Sequence, residues 1–510
     1  MHKTILLAAV ITTAAVARAN VTPNGLFSDN MVLQRGKPIP VRGTATPGEA
    51  VTVTYKGVSA KATAGADGRF RAVLPALETE AAGQDLVIAG ENTVTLTNVV
   101  VGDVWLVAGQ SNAEMPLGNG ILGSKETHAK AKDYPNIRQL KFEHAKAVFP
   151  VKDLPCIRTP WRIATDYALH SVSAEGYFMT REINAKTGIP IGILDDNWSG
   201  SQIEPFVSVE GLALVPELKD VHEQVVKSRE AIVAWCEKVA AMKADGNYDA
   251  AGAMPSAPYW TSQHNAMLEP LADFPIRGAT WYQGCSNGSE GRTYVKKLEA
   301  LIAGWRAKWG PELPVYIVQL ASFTAKTTDP AGGDGFAKTR NAQRIVAQTV
   351  PNTGLAVAID IGNAKDIHPK NKFDVGYRLS LWALRDVYGE KDLVVSGPLF
   401  KEMKLEGPKV RLVFDHVGSG LFAGERGPDE PGVPPTPTPD GKLRGFAVAG
   451  ADKTWHWADA VIDGNDVVVS AKEVPEPAAV RYAHRGNPMG DCNLYNREGL
   501  PASPFRTDDW

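Results

Sequence analysis

The sequence predicts an α/β fold: a parallel sheet flanked by helices, placed between an N-terminal and a C-terminal β-sandwich-like module. Three observations support this prediction. Unbroken apolar runs, such as residues 104–108, indicate strands that are buried on both faces, as in parallel sheets. Helical segments alternate with such runs between residues 101 and 389. Before and after this region, apolar and polar residues alternate, which is typical of antiparallel strands.

Length and composition limit the class of protein. The chain has 510 residues, which is too long for a single hydrophobic core, so several domains are expected. Hydrophobic residues make up 44% and charged residues 22% of the chain, as in globular proteins. The formal net charge of −3 and the lack of a basic tract argue against a nucleic-acid partner.

The N-terminal segment, residues 1–19, is predicted to be a secretory signal peptide. Lys3 precedes an apolar stretch at 5–16, and Ala17-Arg18-Ala19 has the small-x-small form of a cleavage site. The apolar stretch is too short to span a bilayer as a helix of the mature protein. The sequence therefore predicts a secreted or periplasmic protein with no membrane attachment after cleavage.

The first module, residues 20–100, is predicted to be all-β. Alternation recurs at 39–41, 50–55 and 93–100, and Pro, Gly, Asn and Asp residues mark turns between these segments. Residue types used in catalysis do not cluster here. We therefore interpret the module as scaffold rather than as a glycan-binding unit.

The central region, residues 101–389, is predicted to contain the parallel sheet. An insertion at about 206–262 contains apolar residues at helical spacing, which predict a long helix packed on the core. The predicted strands are 104–108, 191–194, 279–282, 315–320 and 354–359, and the predicted helices include 173–186, one around 305–306 and one that begins near 375.

The last module, residues 390–510, is again predicted to be β-rich, with a Pro- and Gly-rich loop at 427–442. The chain has four cysteines, whose wide spacing does not match a metal site. An exported protein can form disulfides, and three pairings are possible; free buried thiols are the alternative. The cysteines are Cys156, Cys236, Cys285 and Cys492.

Two strand ends carry the residues that a serine hydrolase needs. Ser111 follows the strand 104–108 at the position where open α/β sheets place their ligands. A serine hydroxyl is a weak nucleophile, so it requires a base. His368 follows the strand 354–359, and Asp366, two positions earlier, can orient its ring. The alternative is that the Ser111 segment is only a turn after a core strand.

Two further strand ends supply candidate donors for the oxyanion. Gly200 follows the strand 191–194, and Asn287 follows 279–282, so both can join the Ser111 backbone N–H in an oxyanion hole. Three more residues are predicted to line the pocket and bind substrate: Gln110, Gln283 and Arg340. The spacing of His, Cys and acidic residues implies no metal, and we predict no cofactor. Glu114 and Glu204 are interpreted as structural.

These segments resemble a known family. Residues 102–105, which run into Gly-Gln-Ser-Asn at 109–112, resemble the nucleophile block of sialate O-acetylesterases, a branch of the SGNH-type hydrolases. Residues 281–287 are similar to the family's Trp-Tyr-Gln-Gly-Glu-Ser-Asn block, and 366–370 match its base block. Residues 494–501 also resemble the family, so the resemblance covers nearly the whole mature chain.

The resemblance implies an SGNH-hydrolase-like sheet and an exported carboxylic ester hydrolase. It implies a Ser-His-Asp mechanism at Ser111, His368 and Asp366, acting on O-acetyl esters of sialic acids, as a sialate 9-O-acetylesterase does. The expected partner is a free or glycan-linked O-acetylated sugar. Three alternatives remain: an acetylesterase for plant-type polysaccharides such as xylan or xyloglucan, a catalytically weak glycan-binding protein, and a general lipase or thioesterase, which would need an apolar acyl tunnel.

Two positions depart from the family pattern, and the acid position differs from that of general SGNH hydrolases. Cys285 stands where the family usually has Glu, and Ala113 stands where Met is common. General SGNH hydrolases place the acid three residues before the histidine, a position that Lys365 occupies here. Asp366 instead lies two residues before His368, as in the sialate esterase pattern.

Overall fold

A computed structural model describes residues 20–118, 120–153, 157–245 and 253–510. The predicted signal peptide, residues 1–19, lies outside the described residues, as does Cys156. None of the described helices is long and apolar enough to cross a membrane. The α/β prediction is confirmed: a large mixed sheet is flanked by helices, and smaller antiparallel sheets follow it.

The N-terminal part is built from short strands. The first seven are β1 (Thr22–Pro23), β2 (Val32–Gln34), β3 (Ile39–Thr44), β4 (Ala50–Tyr55), β5 (Val58–Thr63), β6 (Arg69–Leu74) and β7 (Glu80–Ala89). Strands β1, β3 and β6 form a separate three-stranded antiparallel sheet, while β2, β4, β5 and β7 join the large sheet.

The next strand, β8 (Thr93–Gly109), runs without interruption from the N-terminal part into the central sheet. Its first half alternates between exposed and buried residues and pairs with β7 in the antiparallel sense. From Val99 to Gly109 every residue is buried, as the unbroken apolar sequence predicts. The predicted boundary between residues 100 and 101 therefore falls inside one strand.

The central part of the large sheet has the order β10-β9-β11-β8-β12-β13-β14. All neighbours are parallel except β10, which is antiparallel to β9 at the edge. The strands after β8 are β9 (Ile137–Phe142), β10 (Ile157–Ile163), β11 (Ile191–Asn197), β12 (Gly278–Tyr282), β13 (Val315–Val318) and β14 (Thr353–Ala356).

The helices connect and cover these strands. The predicted insertion contains α4 and the long α5, of which Val225 and Ile232 are buried. The helices are α1 (Ser111–Glu114), α2 (Ser124–Lys130), α3 (Ala174–Thr187), α4 (Val209–Leu214), α5 (Lys219–Asp245), α6 (Arg292–Trp309), α7 (Gly335–Thr349) and α8 (Lys372–Asp386).

The C-terminal part consists of antiparallel sheets with the orders β15-β16-β22-β21, β18-β17-β24 and β20-β19-β23-β25. Its strands are β15 (Leu399–Glu406), β16 (Lys409–Asp415), β17 (Leu421–Glu425), β18 (Thr436–Pro437), β19 (Phe446–Ala449), β20 (Trp455–Trp457), β21 (Asp459–Asp463), β22 (Asp466–Ser470), β23 (Ala479–Tyr482), β24 (Leu494–Asn496) and β25 (Phe505–Arg506). Cys236, Cys285 and Cys492 are free thiols.

Candidate active site

Ser111 begins the short helix α1 directly beyond the carboxyl end of β8. The strand end is fixed from both sides, because Gln110 N–H donates to the Tyr282 carbonyl (3.1 Å) and Trp198 N–H donates to the Gly109 carbonyl (3.0 Å). A Cβ atom on Gly109 would lie 2.3 Å from the Tyr282 carbonyl oxygen, so only glycine fits there. Ser111 is thereby held between the ends of β11 and β12.

His368 lies in the loop between β14 and α8, and its ring meets the Ser111 hydroxyl. The distance from His368 Nε2 to Ser111 Oγ is 2.8 Å. On the other side of the ring, Nδ1 lies 3.3 Å from Oδ1 of Asp366, which also accepts the His368 backbone N–H at 2.9 Å. Ser111, His368 and Asp366 thus stand in the order of nucleophile, base and orienting carboxylate.

The electrostatics of this group favour a neutral imidazole beside an ionised carboxylate. Burial lowers the pKa of His368 below its usual value, and the positive charge of Lys372 lowers it further, against the opposing effect of Asp366. Although partial burial opposes it, the His368 backbone N–H and Lys370 lower the pKa of Asp366. Near neutral pH, His368 can therefore accept a proton from Ser111.

Gly200 lies in a turn that is tied to the Ser111 helix. Ser201 N–H donates to the Trp198 carbonyl, and Gly200 at the third position of this turn has φ 76°, as type II turns require. Glu114 Oε2 accepts hydrogen bonds from both the backbone N–H (2.8 Å) and the hydroxyl (2.6 Å) of Ser199. Glu114 therefore joins the helix of the nucleophile to the turn of the candidate oxyanion donor.

A cleft of about 560 Å³ opens over Ser111 and His368. Its polar side chains, which we call the polar wall, are Glu114, Lys141, His144, Arg158, His170 and Ser199. Lys141 is buried and lies near Glu114 and Asp195, at 3.8 and 3.5 Å. Arg158, on the edge strand β10, is exposed. The polar wall thus carries two fixed cations and a single carboxylate.

Asn287 is not placed to act on an oxyanion in this structure, which corrects its predicted role. Its side-chain amide donates to Glu204 (3.1 Å) and to Glu290 (2.8 Å), so both amide hydrogens are taken. Its carbonyl oxygen accepts from Ile203 N–H and Gln283 Nε2. Lys297 pairs with the same two carboxylates, so Asn287 is part of a buried charged cluster.

The three predicted substrate-binding residues are also buried away from the cleft. Gln110 accepts from Gly284 N–H, and Gln283 donates to the Ser201 carbonyl, so both amides hold loops behind Ser111. Arg340 is fully buried; its guanidinium donates to four backbone carbonyls, those of Leu320, Ala321, Arg485 and Gly486. Arg340 therefore joins α7 to the C-terminal part, and these backbone carbonyls take up its guanidinium.

The polar wall was largely missed by sequence reasoning. Glu114, which was interpreted as structural, lies three positions after Ser111, and this spacing places both on one face of a helix. That spacing was the available signal. Lys141 and Arg158 belong to β9 and β10, His144 lies in a loop and His170 ends a short 3-10 helix, so no motif connects them to Ser111. Among the described residues, no group of three or more His, Cys, Asp or Glu is arranged to hold a metal ion.

Comparison with known proteins identifies the family of this chain. Residues 101–379 match the model of the sialic acid-specific acetylesterase family of carbohydrate esterases. This match covers more than half of the chain. The chain belongs to this family. It is accordingly a carboxylic ester hydrolase, as the resemblance predicted.

Individual relatives cover most of the chain. The sialate O-acetylesterase of Rattus norvegicus is 28% identical over 428 residues, which span 74% of this chain and 76% of the relative. The human sialate O-acetylesterase is 28% identical over 419 residues, spanning 74% and 73%. The crystal structure of a carbohydrate acetylesterase from Xanthomonas citri is 36% identical and covers 96% of this chain and 100% of its own, with a TM-score of 0.80.

Proposed function

We propose that this protein removes O-acetyl groups from sugars, with O-acetylated sialic acids as its first substrate class, by serine catalysis. The observation that carries the proposal is the 2.8 Å contact between His368 Nε2 and Ser111 Oγ at the floor of an open polar cleft. Sialate O-acetylesterases among the relatives support the substrate class.

The first half of the reaction forms an acetyl-enzyme. Ser111 Oγ attacks the acetyl carbonyl carbon while His368 Nε2 takes the hydroxyl proton. The backbone N–H groups of Ser111 and Gly200 donate to the oxyanion that develops. When the tetrahedral intermediate collapses, the protonated His368 gives its proton to the sugar oxygen, which leaves as an alcohol.

The second half releases acetate. His368, neutral again, removes a proton from a water molecule that attacks the acetyl carbon of the acyl-Ser111 ester. Collapse of the second tetrahedral intermediate returns the proton to Ser111 Oγ. Asp366 holds Nδ1 of His368 and stabilises the positive ring that forms in each half-reaction.

The charge of the polar wall supports an acidic sugar. Arg158 is exposed in the cleft, whereas Lys141 is buried beside Glu114 and Asp195, so Arg158 is the more accessible of these two cations. A sialic acid carries a carboxylate that Arg can bind through two parallel hydrogen bonds. A neutral polysaccharide has no group that would use this charge.

An acetylesterase for plant-type polysaccharides is the second candidate. The solved carbohydrate acetylesterase from Xanthomonas citri, at 36% identity over nearly the whole chain, supports this broader substrate class. The open cleft also leaves room for a chain of sugars to pass across Ser111. We further propose that the protein is exported, with residues 1–19 removed.

Acetate release from matched substrates tests the proposal. O-acetylated sialic acid, acetylated xylan and 4-nitrophenyl acetate are compared at equal concentrations of acetyl ester. We expect the highest kcat/KM on sialic acid. A preference for xylan would favour the second candidate, an acetylesterase for plant-type polysaccharides. Release only from longer acyl esters would indicate a general esterase. A folded protein inactive on all esters would instead favour a glycan-binding role.

A further inference from the structure

A buried bridge connects the helix of the nucleophile to the loop of the base. Asn112, the residue after Ser111, donates from Nδ2 to the carbonyl of Ile367, the residue before His368, at 3.0 Å. The ammonium of Lys372 donates to Asn112 Oδ1 at 2.5 Å. Each of the two reacting residues therefore has a direct sequence neighbour in the same hydrogen-bonded unit.

The Lys372 ammonium lies in an apolar environment, with little negative charge around it. Lys372 is fully buried, and its Nζ lies 4.9 Å from the centre of the Tyr282 ring, in a cation–π contact. Burial lowers the pKa of Lys372 to about 8 and raises the pKa of the buried Glu175 to about 8. Burial thus favours the uncharged acid at Glu175, which weakens its compensation of the Lys372 charge.

We propose that Lys372 is a positioning residue of the esterase: through its hydrogen bond to Asn112 it fixes Ser111 against His368. The same ammonium also acts on the base, because its positive charge lowers the pKa of His368. The inference rests on the proposed serine mechanism and adds a residue to it.

Other charged or ionisable groups act on His368 or on Lys372. Asp366 and Lys370, from the same loop as His368, act on its ring. Glu175 from α3 and Cys285 from the segment after β12 act on Lys372. The polar wall faces His368 across the cleft. Burial raises the pKa of the Cys285 thiol to about 11, so the thiol is uncharged at neutral pH. Removing Lys372 therefore takes away the larger of the two positive charges that lower the pKa of His368, and leaves Lys370 in place.

The test measures how fast Ser111 reacts with a small fluorophosphonate as a function of pH. The Ser111 oxygen bonds to phosphorus, the P–F bond breaks, fluoride leaves and His368 takes the serine proton, so no sugar recognition is involved. In Lys372→Met we expect the acid limb of the rate to move to higher pH and the plateau to fall about 10- to 100-fold. Lys308→Met, which removes a lysine paired with Glu269, is the control and should leave the limb in place.

A second variant separates geometry from charge and serves if Lys372→Met does not fold. Asn112→Ala breaks the bridge and leaves the cation, so we expect a lower plateau with the acid limb at its original pH. The inference would be overturned if folded Lys372→Met kept the acid limb of the wild-type rate profile. It would also be overturned if Asn112→Ala reached the wild-type plateau rate. Wild-type protein that reacts with the fluorophosphonate but releases no acetate from any ester would reject the proposed function alone.

Discussion

Nε2 of His368 lies 2.8 Å from Oγ of Ser111, although the two residues are 257 positions apart in the chain. They follow β14 and β8, which are separated by β12 and β13 in the sheet, a lateral distance of about 14 Å at normal strand spacing. The loop after β14 spans this distance. The contact therefore depends on how that loop folds back across the carboxyl ends of the strands.

The pH dependence of kcat/KM should report the proton of His368. Because burial and Lys372 lower the pKa of His368, the neutral base is present at pH values below its usual 6.5. Activity should therefore rise with pH and reach its plateau earlier than an unperturbed histidine would allow. A pH profile of acetate release measures this, and an acid limb above pH 6.5 would contradict the electrostatic assignment.

Asp366→Asn should reduce activity less than the loss of Ser111 or His368. The Asp366 side chain is 43% exposed and lies 3.3 Å from Nδ1, so water can share its role. We expect kcat to fall about 10- to 100-fold, well below the about 10⁴-fold loss seen for a buried triad carboxylate. Asp415→Asn, at an exposed pair with Lys401, is the control. An unchanged kcat in Asp366→Asn would remove Asp366 from the mechanism.

Glu114→Ala should release the turn that carries Gly200. Both hydrogen bonds from Ser199 end on Glu114 Oε2, so the variant loses the connection between α1 and this turn. We expect kcat to fall about tenfold with little change in KM, because a loosened oxyanion donor affects the transition state most. Steady-state kinetics on 4-nitrophenyl acetate measure this. The exposed Glu210→Ala is the control, and equal kcat in both variants would contradict the prediction.

Arg158→Ala should affect acidic substrates selectively. If Arg158 binds the sialic acid carboxylate, kcat/KM on O-acetylated sialic acid should fall about tenfold, the size of one charge-assisted hydrogen bond. Activity on 4-nitrophenyl acetate should not change. Arg162→Ala, on the same strand β10 but outside the polar wall, is the matched control. Equal losses of kcat/KM on the charged and the neutral ester would show that Arg158 does not bind the carboxylate.

Much of the fold is evident in the sequence because burial on both faces leaves unbroken apolar runs, as at the end of β8. The continuity of β8 was harder to see. Its pattern changes from alternation to a continuous apolar run near Val99, and that change resembles a boundary between domains. The strand in fact continues, and only its surroundings change from a half-exposed to a covered sheet.

The candidate site was predictable where a residue at a strand end supplies a part that a serine hydrolase requires, as Ser111 and His368 do. For polar residues that can either bind substrate or satisfy buried groups, the sequence did not predict which role they have. Arg340 and Asn287 have the chemistry of substrate contacts, yet the same groups satisfy buried carbonyls and carboxylates here. Pattern alone does not separate these roles, because the partners come from distant segments such as 485–486.

The central claim is tested most directly by acetate release from O-acetylated sialic acid by wild type, Ser111→Ala and His368→Ala. The account predicts release by wild type and a loss of about several hundred-fold or more in both variants, whose circular dichroism and melting temperature should match wild type. Undiminished release by folded Ser111→Ala would contradict it, since the reaction would then not pass through an acetyl ester at Ser111.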